Sequence, residues 1–347
     1  MLKIIISFFM SLHIFGYHPF QTERNQMPSS QGQPKQSLQT KQNERETAAL
    51  PQKHATNLVP NLQLAVISDT HVSTTVKRNG VKFQNALEDL KHIAPHYNVL
   101  AINGDLTDNG FPAEYDLFNS ILSTNIVKNA SKFLVIGNHE WKEKNSNSSV
   151  TDSQLIQRFL DKEHVPGVYY DKWIKGYHFI ALGGEKSAAS LKATGKSNPD
   201  GAFISDKQIQ WLEKTLADGA ESGKPIFVFL HQPITGTVYG SEWGAGFQDQ
   251  KILAILKKYP QVILFTGHSH YPLNNEKSII HDGITMVNTS SVAYTYTPQT
   301  SSDDSKSQGL IVNIYHDKIE LKAREFDTKS WIKTVTIPLE SPHQLQD

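Results

Sequence analysis

Five predicted β-strands between residues 62 and 266 each end in a short group of aspartate, histidine or asparagine residues. The groups are Asp69-Thr70-His71, Gly104-Asp105-Leu106-Thr107-Asp108, Gly137-Asn138-His139-Glu140, His231 and Gly267-His268-Ser269-His270. In open α/β sheets the loops at the carboxyl ends of the strands converge on one crevice, where ligands bind. A single Asp-x-His or Gly-Asp group is usually a turn or a cap. Five such groups at successive strand ends predict one polar site.

The hydrophobic pattern predicts an α/β fold. Short apolar runs, such as residues 64–67 and 226–230, alternate with amphipathic segments that have apolar residues at helical spacing. After about residue 280 the predicted strands follow one another without a helix of comparable strength. We therefore predict one α/β domain over residues 59–340, with a β-rich C-terminal part, two sheets packed face to face and helices outside.

The N-terminal region is predicted to lie outside this domain. Residues 1–20 contain one lysine and then an apolar run, which is typical of a signal peptide and short for a membrane span. Bulky residues occupy the expected cleavage region, so a signal peptide, an uncleaved signal anchor and a buried strand all remain open. Residues 21–58 predict a disordered polar linker. We expect export, with the protein either secreted or anchored to the outer side of the cytoplasmic membrane.

Charge and cysteine content narrow the classes of function. The chain has 34 basic and 34 acidic residues, which gives no electrostatic support for nonspecific nucleic-acid binding. It has no cysteine, so a thiolate nucleophile, a disulfide and a cysteine-bound zinc site are excluded. A small molecule is therefore the expected partner, together with a membrane if the N-terminal segment acts as a tether. The oligomeric state is not predicted.

The strand-end groups supply a set of side chains that suits two metal ions. Four imidazoles, two carboxylates and one amide oxygen favour first-row divalent or trivalent ions such as Mn, Fe or Zn. Seven donors are too many for one open site, and Asp105 could bridge two ions about 4 Å apart. Such a cluster with a bridging hydroxide would keep a positive charge and attract a phosphate. The predicted ligands are Asp69, His71, Asp105, Asn138, His231, His268 and His270.

His139 is predicted to act in catalysis rather than as a ligand, because its neighbour Asn138 already supplies an oxygen donor. An imidazole beside a metal-bound phosphate can protonate the leaving alkoxide. Asp108 is predicted to hold that imidazole in the right tautomer and to raise its pKa. The alternatives are that His139 only hydrogen-bonds the substrate and that Asp108 is only a turn residue. Glu140 is expected to anchor its loop.

Taken together, these motifs resemble the complete signature of the calcineurin-like metallophosphoesterases, over about residues 62–325. The resemblance implies a four-layer α/β/β/α sandwich of two mixed sheets with flanking helices. It also implies that Asp105 is shared between the two metal sites. The remaining ligands would divide into Asp69, His71 and His270 for one ion and Asn138, His231 and His268 for the other. Residues 104–110 and 288–291 resemble the cyclic-nucleotide phosphodiesterase branch.

The leading hypothesis is therefore a phosphodiesterase, with a cyclic nucleotide as one candidate substrate. A metal-bridging hydroxide would attack the phosphorus, and His139 would act as the general acid. A phosphomonoesterase or nucleotidase using the same metals is the alternative, and an inactive binding scaffold is a weaker one because no ligand is missing. Residues 183–203 are predicted to form a lid. Tyr239, Trp243 and Phe247 are expected either to stack on a base or to cover a loop edge.

Overall fold

The computed structural model describes residues 59–195, 200–242, 244, 246–299 and 301–339. The predicted signal segment at residues 1–20, the predicted linker at residues 21–58 and Trp243 lie outside the described residues. Within the described part of the chain, no helix has both the length and the apolar character needed to cross a membrane.

Fourteen strands and seven α-helices make up the described chain. The strands are β1 (Leu62–Ile67), β2 (Val99–Asn103), β3 (Ser131–Val135), β4 (Tyr170–Ile174), β5 (Tyr177–Leu182), β6 (Ile226–Leu230), β7 (Val262–Thr266), β8 (Ile279–Asp282), β9 (Ile284–Asn288), β10 (Thr295–Thr297), β11 (Ser301–Asp303), β12 (Gln308–Ile314), β13 (Lys318–Glu325) and β14 (Ser330–Pro338). The helices are α1 (Lys77–Ile93), α2 (Pro112–Asn125), α3 (Glu143–Ser146), α4 (Asp152–Glu163), α5 (Ala188–Ala193), α6 (Asp206–Ala220) and α7 (Asp249–Leu256).

The strands form two mixed six-stranded sheets and one short hairpin. The first sheet has the order β14-β13-β12-β1-β2-β3, in which β1, β2 and β3 are parallel. The second has the order β4-β5-β6-β7-β9-β8, in which β5, β6, β7 and β9 are parallel and both edge strands are antiparallel. The strands predicted after residue 280 are present, and they complete both sheets.

Alternation of side chains along each strand produces a layered core. Val66 and Phe133 of the first sheet belong to the same buried apolar cluster as Phe229 of the second, so these faces pack on each other. The opposite faces pack on helices. Ile102 clusters with residues of α1, α2 and α4, and Val228 clusters with residues of α6 and α7. The predicted α/β/β/α sandwich is therefore confirmed.

The ends of the central parallel strands meet where the two sheets adjoin. Asn103, the fully buried last residue of β2, donates through Nδ2 to the carbonyl oxygens of Leu230 (3.3 Å) and Phe265 (3.1 Å) in the second sheet. The N–H of Val292, in the loop after β9, donates to the carbonyl of Ser68 after β1. These bonds bring the predicted metal-binding loops of both sheets to a single edge.

Candidate metal centre

Five of the seven predicted ligands have a left-handed backbone. Their φ angles lie between 43° and 65°, in Asp69, His71, Asp105, His268 and His270. This conformation is uncommon for residues other than glycine, and such strain persists only where the surrounding structure holds it, often at functional sites. All five residues follow the ends of β1, β2 or β7 within four positions, so they lie at the strand ends.

Four predicted ligands form one group of converging donor atoms. The group contains Asp69, His71, Asp105 and His270, all buried, with donor atoms within 4.8 Å of one another. Nε2 of His270 lies 3.0 Å from Nε2 of His71 and 3.0 Å from Oδ1 of Asp69. Two imidazole nitrogens and a carboxylate oxygen at these distances surround the volume that one metal ion would fill.

A second group contains Asp105, His231 and His268. Nε2 of His231 lies 3.1 Å from Oδ2 of Asp105. Since Asp105 belongs to both groups, the two candidate ion positions share one carboxylate. This is the arrangement expected of a dinuclear centre with a bridging aspartate.

Unpartnered buried atoms provide a test of whether a metal fits here. Oδ1 of Asp69, Oδ1 of Asn138 and Nε2 of His231 are buried and make no hydrogen bond in the described structure, although Asp69 and His231 each lie close to another predicted ligand. Buried polar atoms are normally hydrogen-bonded, so unpartnered atoms on three predicted ligands require an explanation. Coordination to metal ions would satisfy all three, and the donor set therefore fits.

Hydrogen bonds on the other ring nitrogens orient the imidazoles for that role. Nδ1 of His231 lies 2.6 Å from the carbonyl oxygen of Asn103, and Nδ1 of His270 lies 3.1 Å from that of Tyr294. A carbonyl only accepts, so each Nδ1 carries the proton and leaves the Nε2 lone pair free for a metal.

The carboxylates also set the charge of the centre. Burial by itself would lower the pKa of His71, but the carboxylates of Asp108, Asp69 and Asp105 outweigh it and raise that pKa to about 10. Burial likewise opposes the effect of Asp105 and Asp69 on His231, whose pKa is raised to about 9. Metal binding needs neutral imidazoles, so it must displace these protons.

Glu140 anchors two of the loops, as predicted, and does not belong to either metal group. Its buried carboxylate accepts hydrogen bonds from the backbone N–H groups of Asp105 (3.1 Å), Thr107 (3.0 Å) and Gly137 (2.8 Å). A side chain at Gly137 would place its Cβ 2.1 Å from Oδ1 of Asp105, so only glycine allows this close approach. One carboxylate thus connects the second and third strand-end groups.

The segment at residues 288–291 supports the centre from behind. All four residues are buried, and Oγ of Ser291 donates to the carbonyl of Asp69 at 3.1 Å. Nδ2 of Asn288 donates to the carbonyl of Tyr271 at 3.0 Å, next to His270. These residues hold the ligand loops, and their burial keeps them away from any substrate.

Sequence reasoning missed Asn103, whose only signal is a polar residue at the end of an apolar strand.

His139 lies close to Asp108, and together with His71 these two residues form a third group of converging donor atoms. Nδ1 of His139 is 2.7 Å from the Asp108 carbonyl oxygen and 3.6 Å from the Asp108 carboxylate. Burial lowers the pKa of His139 and outweighs Asp105 and Asp108, which act in the raising direction. The predicted raised pKa is therefore not observed. Nε2 of His139 contacts Nζ of Lys142, a residue that sequence reasoning missed although it follows His139 at i+3.

The segment predicted as a lid, residues 183–203, is attached at several points in its described parts. Oγ of Ser187 donates to Asp152 at 2.6 Å, and Nε2 of Gln232 donates to the carbonyl of Asp200 at 3.0 Å. The segment forms a wall of a cleft beside Asn138. Of the predicted stacking residues, Tyr239 packs on Tyr271 with ring centroids 4.4 Å apart. This contact favours the interpretation of a covered loop edge.

Comparison with known proteins identifies the family of this chain. The family model for calcineurin-like phosphoesterases matches residues 62–272, and the chain belongs to this family. The predicted family is confirmed, and the protein is a metal-dependent phosphoester hydrolase.

Two curated relatives are phosphodiesterases by name. A probable glycerophosphodiester phosphodiesterase from Arcobacter nitrofigilis is 26% identical over 213 residues, which cover 59% of this chain and 70% of the relative. A 3′,5′-cyclic-nucleotide phosphodiesterase from Nostoc sp. is 20% identical over 230 residues, which cover 63% of this chain and 76% of the relative.

Solved structures share the fold. A dimetal phosphatase from Danio rerio aligns with a TM-score of 0.58 at 14% identity, over 81% of this chain and all of that chain. A purple acid phosphatase from yellow lupin aligns with a TM-score of 0.55 at 15% identity, over 80% of this chain and 55% of that chain. At these identities the likeness concerns the fold alone.

Proposed function

We propose that this protein hydrolyses small phosphodiesters at a dinuclear metal centre. Asp69, His71 and His270 would hold one ion, and Asn138, His231 and His268 would hold the other. The shared position of Asp105 in both groups of converging donor atoms is the observation that carries this proposal. When bound, two divalent ions would polarise the phosphoryl oxygens and lower the pKa of water.

His139 would supply the proton for the leaving group. Water would add to phosphorus and release one proton to solvent, the bond from phosphorus to the alcohol oxygen would break, and Nε2 of His139 would give its proton to that oxygen. The contact of Nδ1 with the Asp108 carbonyl fixes the ring orientation. Burial lowers the pKa of His139 in the free protein. A bound phosphate anion would favour the imidazolium form that the acid needs.

A diester substrate is supported by the relatives. Both curated relatives carry phosphodiesterase names, one for glycerophosphodiesters and one for cyclic nucleotides. The first ion group is fully buried, so the phosphate would be reached from the side of Asn138 and His139, which are both partly exposed. There the cleft has room for the organic part of an ester.

Hydrolysis of three phosphoesters tests the proposal. The purified full chain, loaded with Mn²⁺, would be assayed with bis(p-nitrophenyl) phosphate, p-nitrophenyl phosphate and 3′,5′-cyclic AMP, and its bound metal would be measured by mass spectrometry. We expect about two ions per chain and a kcat/KM at least roughly tenfold higher for the aryl diester than for the monoester, a difference of about 1.4 kcal/mol in transition-state stabilisation. A faster monoester reaction would contradict the proposal.

A further inference from the structure

A cleft of about 510 Å³ lies directly beside the metal centre. Its lining includes the predicted ligand Asn138, and Gln232, which follows the predicted ligand His231. The outer walls come from the segment around α3 and from the segment that leads into α5. The volume is that of a site for a small organic molecule. A phosphoester bound at the metals would therefore extend one of its arms into this cleft.

Lysines dominate the charge of the cleft. Four line it, namely Lys142, Lys144, Lys186 and Lys192, together with Asp200 as the acidic residue. Lys144 is neutralised by Asp152, whose Oδ1 lies 3.0 Å from its Nζ. In the described part of the chain, the other three lysines have no carboxylate within ion-pair distance. The chain as a whole has no net charge, so this excess of positive charge is local.

Two of the lysines have positions that relate them to the reaction. Nζ of Lys142 contacts Nε2 of His139, the nitrogen that would protonate the leaving oxygen. Nζ of Lys186 lies 4.7 Å from the ring centroid of Phe203, a cation–π contact that holds the ammonium group at the cleft wall. The cleft thus carries one cation next to the proposed acid and another on its wall.

We propose that the lysine cleft selects phosphodiesters whose leaving alcohol carries a second anionic group, a carboxylate or a phosphate. This inference rests on the proposed function, since it assumes a diester cleaved with His139 as the acid. A neutral alcohol would leave Lys186 and Lys192 without a partner on the substrate. An anionic alcohol would pair with them, and the preference would weaken as salt screens these exposed charges.

Matched esters and a charge-neutral variant test the inference. The substrates are methyl 4-nitrophenyl phosphate, its 3-carboxy derivative and its 3-phosphonomethyl derivative, which separate carboxylate from phosphate-like recognition. In the double variant Lys186→Gln/Lys192→Gln, we expect kcat/KM to fall about tenfold on both anionic esters, from two surface pairs of about 0.7 kcal/mol each, and less than about twofold on the neutral ester. Comparing variant with parent on each ester cancels the intrinsic reactivity of the leaving group.

The control is Lys128→Gln, because this exposed lysine precedes β3 and so lies at the opposite end of that strand from Asn138. It should leave all three rates unchanged. Equal losses on charged and neutral esters, or no loss on either, would overturn the cleft inference and leave the proposed function standing. If a chain with two bound metals hydrolysed none of the esters, the proposed function would fail and the inference with it.

Discussion

The metal centre and the lysine cleft adjoin each other, yet they are built in opposite ways. The ligand side chains are largely buried, five have strained backbones, and hydrogen bonds from both sheets hold their loops. In the cleft, Lys186 and Lys192 are exposed. Groups that perform chemistry need fixed positions, whereas groups that select a substrate tolerate adaptable side chains on a rigid scaffold. One active site therefore combines metal ligands that many contacts hold in fixed positions with exposed lysines whose side chains can adapt.

The difference leads to different expectations for mutations. A ligand in the metal centre would share its metal ion with several other ligands, so its loss should remove the function of the whole cluster. A residue of the cleft acts on its own, so its loss should change substrate preference by a modest and graded factor. Variants of the two regions test this contrast, and the largest effect is expected for a metal ligand.

Asp105→Ala should cause the largest loss. Asp105 belongs to both groups of donor atoms, and its Oδ1 also accepts the backbone N–H of His139 at 2.8 Å. We expect loss of both ions and a fall in kcat/KM of more than about 10⁴-fold, because all metal-dependent stabilisation is removed. Metal content and diester hydrolysis would be measured together.

The matched control for that experiment is Asp218→Ala, which removes an exposed aspartate on α6. It should keep the metal content and the rate of the parent protein. Two tightly bound ions in the Asp105→Ala variant would show that the carboxylate is not shared, and the contrast between the two regions would lose its main support.

His139→Ala tests the boundary between the two regions. His139 touches the cleft through Lys142 and the metal loops through Asp108, and it shares a third group of converging donor atoms with His71 and Asp108. We expect turnover to fall between about 10² and 10⁴-fold, the usual contribution of a general acid, while metal content stays near that of the parent protein. The loss should be smaller for an ester with a nitrophenolate leaving group, which needs little protonation. Loss of metal would instead make His139 a ligand.

The residue types of the metal centre could be predicted from the sequence, but the long-range contacts that hold these residues in place could not. Asp69, His71 and the other predicted ligands follow apolar strands, a local pattern that is visible in the chain. The contact between Nδ2 of Asn103 and the carbonyl of Phe265 joins residues 162 positions apart, and no local pattern encodes it. The balance of burial against carboxylates that lowers the pKa of His139 also depends on packing.

In the fold, too, local features could be predicted from the sequence and long-range pairing could not. The alternation of strands and helices predicted the layers, because hydrophobic periodicity is local. The place of β12 was not predictable in this way. It pairs antiparallel with β1, matching Leu64 with Val312, and so inserts the C-terminal strands beside the first strand of the sheet. Such pairing is decided by which faces remain to be buried once the other strands have assembled.

Asp152→Ala should have the smallest effect and tests whether the cleft wall is adjustable. Burial opposes the ionised carboxylate, but hydrogen bonds from Ser187 and Lys144 prevail and lower the pKa of Asp152. The group is partly exposed, so we expect its loss to cost about 1 kcal/mol of unfolding free energy at neutral pH, or roughly 2–4 °C in Tm, with KM changed less than about threefold. Metal content should not change, since the residue lies outside both metal groups.

The contribution of Asp152 to stability depends on pH. A carboxylate with a lowered pKa stabilises the folded protein above its unfolded value of 3.8 and loses that effect as the pH falls through the folded value. The melting temperatures of the parent and of Asp152→Ala should therefore differ at pH 7 and converge in acid. Asp161→Ala, an exposed aspartate on the same helix, should match the parent throughout. If Asp152→Ala lost metal or most of its turnover, the cleft wall would be as important to the metal centre as the ligands themselves, and the contrast between the two regions would be wrong.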